Sequence, residues 1–251
     1  MRRAALLLAL SPFLMAQAEP KLVPDISARS IEIRYSFTGA QLLLFGAILY
    51  PGGRVPTNPA DVIVVLKGPV EPILMREKQK IAGIWMNADS NRFRSAPSFY
   101  AVASSRPIAD VVDQRTAAIY ELGVDKLQLS PSSLNDSAEL DRFQAGLIDL
   151  RQRTGLFAEH QGSVEITDGV LYRARIPLPA RVIVGDYTAE TFLVQDGRVV
   201  AAAVRDITIR KSGFERFMAV AADRWSFFYG LTAILLAVSM GWTAGAIARR
   251  F

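Results

Sequence analysis

The chain has 251 residues, 51% of them hydrophobic, and a formal charge of +5; that is room for one large or two small domains with a core, and too apolar for a disordered tail. It has no cysteine and one histidine, His160, which excludes disulfides, thiolate zinc sites, iron–sulfur clusters, cysteine nucleophiles and two-histidine metal motifs. A mean hydropathy of +0.21 is high for a wholly soluble chain and points to membrane-embedded sequence.

Met1-Arg2-Arg3 opens the chain with positive charge, an apolar stretch runs from Ala4 to Met15, and Ala16-Gln17-Ala18 places small residues where a signal peptidase reads. This layout predicts a secretory signal over 1–18, cleaved after Ala18. An ectodomain over 19–211 is expected to follow.

Its first part reads as strands. Ile31, Ile33, Tyr35 and Phe37 alternate with polar residues, and Gln41 to Tyr50 reads as a second, more buried strand after a turn at Gly39-Ala40. Val62 to Leu66 is a short apolar strand closed by Gly68-Pro69. Ile73–Lys80 and Ile81–Met86 suggest a hairpin, and Phe99–Ala103 ends the series. Asp89-Ser90-Asn91 looks like a fragment of a calcium loop, but it lacks the glycine and the terminal glutamate, so a plain turn is expected.

A helical insert is expected over about 106–155. Pro107 suits a first turn, and Ile108, Val111, Val112, Ile119 and Leu122 recur at helical spacing before Gly123. Asp136 and Glu139 form a capping-box pattern. Leu140, Phe143, Leu147 and Leu150 then share a face, ending at Gly155. Both stripes are expected to pack on the sheets. The acidic pairs Asp110/Asp113 and Asp136/Glu139 fall in first helical turns, where the dipole accounts for them. His160, beside Glu159 in a polar linker, is expected to be a surface residue.

Strands resume at Ser163. Asp168-Gly169 and Asp196-Gly197 are strong hairpin turns, Thr188–Gln195 and Arg198–Ile209 are strands, and Tyr187 is placed to pin a corner through its hydroxyl. The fold class is therefore mainly β: an immunoglobulin-like antiparallel β-sandwich with an inserted helical pair. The late segment is thin for a sandwich of its own, which favours one composite body over two small ones.

Residues 212–224 read as an amphipathic juxtamembrane segment, with Phe214 and Phe217 on its apolar face. Residues 225–248 carry no charge and suffice to cross a bilayer as a transmembrane helix. Trp225 and Tyr229 suit the headgroup level, and Arg249 and Arg250 open a short tail, 249–251, on the cytoplasmic side. The expected location is a bacterial inner membrane, with the ectodomain in the periplasm. Setting aside Arg2 and Arg3, then Arg249 and Arg250, lowers the charge from +5 to +3 and to +1 for residues 19–224. Nucleic-acid binding thereby loses its main support.

No nucleophile elbow, phosphate loop or dinucleotide fingerprint is present. No catalytic residue, cofactor or metal is expected. Arg92, Arg94 and Arg106 border the aromatic segment Phe93–Tyr100 and are candidate anion contacts. Within the span Ala233, Ala237, Gly241 and Gly245 recur every four residues, a stripe that suits close packing with a second copy or with a multi-span permease.

The order of several segments resembles an uncharacterised alphaproteobacterial transmembrane protein family. They are Ile81-Ala82-Gly83-Ile84-Trp85-Met86-Asn87, Pro97 to Ser105, Val184-Gly185-Asp186-Tyr187-Thr188, Gly213-Phe214-Glu215 and the terminal span. The resemblance brings no catalytic residues. It implies an accessory role beside a sulfite-exporter-type permease. The function expected is thus a membrane-anchored periplasmic interaction domain; a tethered enzyme and a structural envelope protein are the alternatives.

Overall fold

The computed structural model describes residues 20–33, 39–131, 137–211 and 214–248. The expected signal, residues 1–18, lies outside them. So do Asp136, Arg249, Arg250 and the strand residues Tyr35 and Phe37.

Period-two patterning builds a four-stranded sheet. Its strands are β1 (Lys21–Ile26), β3 (Ala40–Leu49), β11 (Leu171–Leu178) and β10 (Val164–Thr167), in that order and all antiparallel. Alternate residues Leu22 and Ile26, Leu42 and Leu44, and Tyr172, Ala174 and Ile176 are buried, while Val23, Phe45 and Leu171 face outward. β3 is thus one-sided, with Phe45 and Leu49 exposed in a strand expected to be the more buried one.

The second sheet has six strands in the order β2 (Ser30–Ile33), β13 (Arg198–Lys211), β12 (Gly185–Gln195), β4 (Asp61–Lys67), β7 (Tyr100–Ser104) and β9 (Phe157–His160). The inner pairings are antiparallel. The edge pairings of β2 on β13 and β9 on β7 are parallel, which departs from the all-antiparallel expectation. His160 ends β9 opposite Ala103, half-buried with its Nε2 enclosed, and not in a surface linker. A strand of four residues with an alternating pattern is too short to stand out after a helix.

Both sheets contribute to one core cluster. β11 pairs with β3 and β12 with β4, so late strands complete sheets begun by early ones. Tyr187 is fully buried, and its hydroxyl donates to the Ile183 carbonyl at 2.7 Å. That is the corner-pinning contact expected of it.

A third, smaller sheet leaves this body. β5 (Val70–Ile81) and β6 (Ile84–Pro97) form a hairpin ribbon whose pairing follows on from that of β4 with β7 across Gly68-Pro69. β8 (Ser130–Pro131) adds an edge. Asp89-Ser90-Asn91 is not a turn but lies inside β6, with Asn91 buried; local composition favours a turn, and the cross-strand ladder overrides it. The reversal is at Ala82-Gly83, where both residues have positive φ (50° and 86°).

The first expected helix is two short ones, α1 (Ile108–Val111) and α2 (Gln114–Ile119). Asp113 breaks the run, because its side chain caps α2 by accepting from the Thr116 amide at 2.7 Å. Ile119 is exposed, against expectation. α3 (Ser137–Arg153) buries Phe143 and Leu147 against Phe93 and Ala96 of the ribbon, while Leu150 is exposed. After β13 come α4 (Phe214–Arg224) and α5 (Ser226–Ala248).

Tyr187→Phe removes the donor to a buried carbonyl and should cost about 1–2 kcal/mol, measured by urea unfolding of the full chain in detergent. Burial pushes the Tyr187 hydroxyl up to about 12 from 10.0. Burial likewise raises Tyr100. Both favour the neutral phenol in the fold, so their contribution is complete below pH 10 and fades as pH climbs through the raised values. Melting temperature should therefore fall steeply above about pH 10, and the drop should be shallower in Tyr187→Phe.

Candidate functional site

Lys67 ends β4 opposite Thr188 of β12 and Tyr100 of β7. Its ammonium meets Glu121 at 2.8 Å and Glu190 at 3.2 Å. Glu121 follows α2 with φ of 53°. Its other carboxylate oxygen accepts from the Gln128 amide, and its carbonyl accepts from the Tyr100 hydroxyl at 2.6 Å. The cluster rims a cavity of about 440 Å³, walled by Ile119, Tyr120, Phe192 and Val204. Burial alone would lower the Lys67 ammonium. The bond to Glu121 and the two carboxylate charges outweigh it and hold the group above its ordinary value. A lysine held protonated is no base at neutral pH; the triad pins residues 120–128 to the sheet.

A second polar cluster lies at the far end of β4. Asp61 accepts from Ser105 (2.7 Å) and from Arg106 Nε (3.0 Å). Burial alone would raise its carboxyl, but the Arg106 and Ser105 bonds and the guanidinium charge hold it below the usual range. Arg106 is thereby occupied, and β7 separates it from Arg94. The structure does not bring the three candidate arginines together: Arg92 and Arg94 are on the exposed face of β6 and Arg106 is with Asp61. Among the described residues no three histidine, aspartate or glutamate side chains gather as metal ligands.

α4 runs into α5 almost without interruption, since the Trp225 amide still donates to Ala221 and the Tyr229 amide to Trp225. Ser226–Gly245 is the one described helical stretch long and apolar enough to cross a membrane, and none of it is buried. Ala233, Ala237, Gly241 and Gly245 lie along one exposed face of α5. Trp225 and Tyr229 are exposed at its N-terminal end. Phe214 and Phe217 are on α4, and their side chains lie outside the described residues.

Sequence reasoning missed the ribbon's free end. Ile81, Ile84, Trp85 and Met86 surround the Ala82-Gly83 turn and are exposed, Ile84 at 69% and Trp85 at 67%. The signal was present: apolar residues at consecutive positions break the alternation of a one-sided strand, and Lys78 and Lys80 stand beside them.

A family model described as "Putative transmembrane protein (Alph_Pro_TM)" matches residues 21–250. No curated protein matches the chain. The chain belongs to this transmembrane protein family, and the match takes in all the described strands and α5.

Lys67→Met leaves Glu121 and Glu190 facing each other across a half-buried gap. It should destabilise the fold by about 1–3 kcal/mol at neutral pH. Thermal unfolding of both proteins measures this.

Proposed function

We propose that this member of the transmembrane family is a periplasmic interaction protein, held in the bacterial inner membrane by α5 and acting beside a multi-span permease through contact and not through bond-making. One observation carries the reading: the only described helix able to cross a bilayer presents an exposed face of Ala233, Ala237 and Gly241, continued by Gly245. Small side chains let a second backbone approach closely, and in lipid such packing replaces the hydrophobic drive for association. A partner with several spans offers more grooves for that face than a second copy does. The likeness of the sequence to its family suggests a permease of the sulfite-exporter type. The signal-like residues 1–18 and the arginines after α5 support a periplasmic body and a cytoplasmic end.

The clusters of the body support contact over catalysis. Lys67 is tied to Glu121 and Glu190, and Asp61 to Ser105 and Arg106. Each charge in them has an opposite charge beside it.

The chain has no cysteine, so single cysteines placed along α5 report its neighbours. In native membranes, crosslinks to one larger membrane protein should form from Ala233→Cys, Ala237→Cys and Gly241→Cys and be weak from Leu235→Cys and Trp242→Cys on the opposite face. Equal crosslinking around the helix, or none, would overturn the reading.

A further inference from the structure

The six-stranded sheet has one end from which two segments depart. β13 finishes there at Lys211, three residues before α4 begins, and Ile209 near its end pairs with Gly185. Gly185 in turn lies against Pro69, since a Cβ on it would come within 2.9 Å of the proline ring. Pro69 is the base of the β5–β6 ribbon. The ribbon and the chain's path to the membrane thus leave the body side by side.

Their lengths can be compared. From Lys211 to Phe214 the chain reaches at most about 10 Å, and α4, if upright, adds about 16 Å. The ribbon from Val70 to Ile81 is up to about 36 Å long. A body on so short a tether cannot hold its ribbon clear of the bilayer except by bending it aside.

The ribbon's surface chemistry differs between its two faces. One face is covered by α3 and Leu129, packed on Ile73, Met75, Phe93 and Ala96, and is closed by the contact of Arg142 with Glu77 at 3.1 Å. The acidic residues Glu71, Glu77 and Asp89 are engaged, Glu71 with Arg151 and the other two with Arg142. The other face carries Arg76, Lys78, Lys80 and Arg92, all exposed and none in an ion pair with a described residue. Arg94 continues the row. Beyond Glu77 no described residue covers either strand, and the exposed tip is Ile81, Ile84, Trp85 and Met86. A tryptophan and aliphatics at a loop tip, with cations set back along one face, match the two layers of a membrane surface: acyl boundary, then phosphates.

We propose that the β5–β6 tip is a second membrane contact, inserting Ile84, Trp85 and Met86 at the acyl–headgroup boundary while Arg76, Lys78, Lys80 and Arg92 face anionic phospholipid headgroups. The contact needs only the chain's own anchoring in a bilayer and no helix partner, so it stands or falls apart from the permease reading.

The purified full chain, reconstituted in vesicles of phosphatidylethanolamine and phosphatidylglycerol, tests it. An environment-sensitive fluorophore on Met86→Cys should lose most of its emission when the lipids carry brominated acyl chains, and acrylamide in the buffer should barely quench it. The same fluorophore on Thr57→Cys, in the loop before β4, should do the reverse. Reversing charge with Lys78→Glu and Lys80→Glu should return the Met86→Cys fluorophore to acrylamide. All these positions are exposed, and circular dichroism checks that the fold is kept. A Met86→Cys signal like that of Thr57→Cys would overturn the proposal. So would shielding from acrylamide without bromolipid quenching, which means a protein neighbour. Equal shielding in vesicles of phosphatidylcholine alone would overturn the assignment to anionic headgroups.

Discussion

β4 lies between β12 and β7, and its five central residues, Val62 to Leu66, are buried on both faces. Burying five aliphatic side chains this fully contributes on the order of 10 kcal/mol before chain entropy is counted. β12 arrives more than a hundred residues after β4 in the chain, so this pairing is where the late chain closes on the early one. Two other features inherit their position from it. The ribbon extends the β4–β7 pairing outward, and β13, paired to β12, sets the point from which the chain leaves for the membrane. Loss of the β4–β12 register would therefore move the ribbon relative to the anchor as well as weaken the core.

Three hairpin reversals use the same backbone, two successive residues with positive φ: Asp168-Gly169, Asp196-Gly197 and Ala82-Gly83. The first two were legible because aspartate tolerates the left-handed region and hydrogen-bonds locally there. Alanine gives no such signal and carries a steric cost of about 1 kcal/mol in that conformation, so the third turn was misplaced by a residue or two and its strands were cut short. Asp89-Ser90-Asn91 misled in the opposite sense. Its composition is that of a turn, yet it sits in a ladder that continues on both sides. The break at Asp113 was hidden for a local reason: periodicity ran through the residue, and the capping bond to Thr116 decided the matter. Apart from that cap and the alanine turn, local chemistry was readable, and the reading failed where a partner distant in sequence set the outcome.

That distinction also separates the sites. The span and its stripe of alanines and glycines are local features of one helix and could be read directly. Lys67, Glu121 and Glu190 have no shared motif; only the meeting of β4, the end of α2 and β12 brings them within 3.2 Å. Arg106 looked like a neighbour of Arg92 and Arg94 because it is near in sequence. β7 carries it away to Asp61, while the other two remain on the ribbon's exposed face. Exposure of Trp85 and Ile84 could not be known without knowing where α3 stops covering the ribbon.

A tip of four apolar side chains would hold a free protein to a bilayer only marginally, much as one short acyl chain does. Tethering alters the requirement. With α5 in the same bilayer, the tip meets lipid at the effective concentration set by a short linker, on the order of millimolar, so even weak insertion is populated most of the time. The consequence is orientational. One helix joined to a body through a few residues fixes the body's distance from the membrane and leaves its tilt free. A second contact at the end of a stiff ribbon, displaced sideways from the first, removes that freedom. The remaining surfaces of the body, the Lys67 cavity and the outer face of the four-stranded sheet among them, would then be held at a set height and angle above the bilayer, which is the condition for meeting the exposed loops of a neighbouring membrane protein in one register.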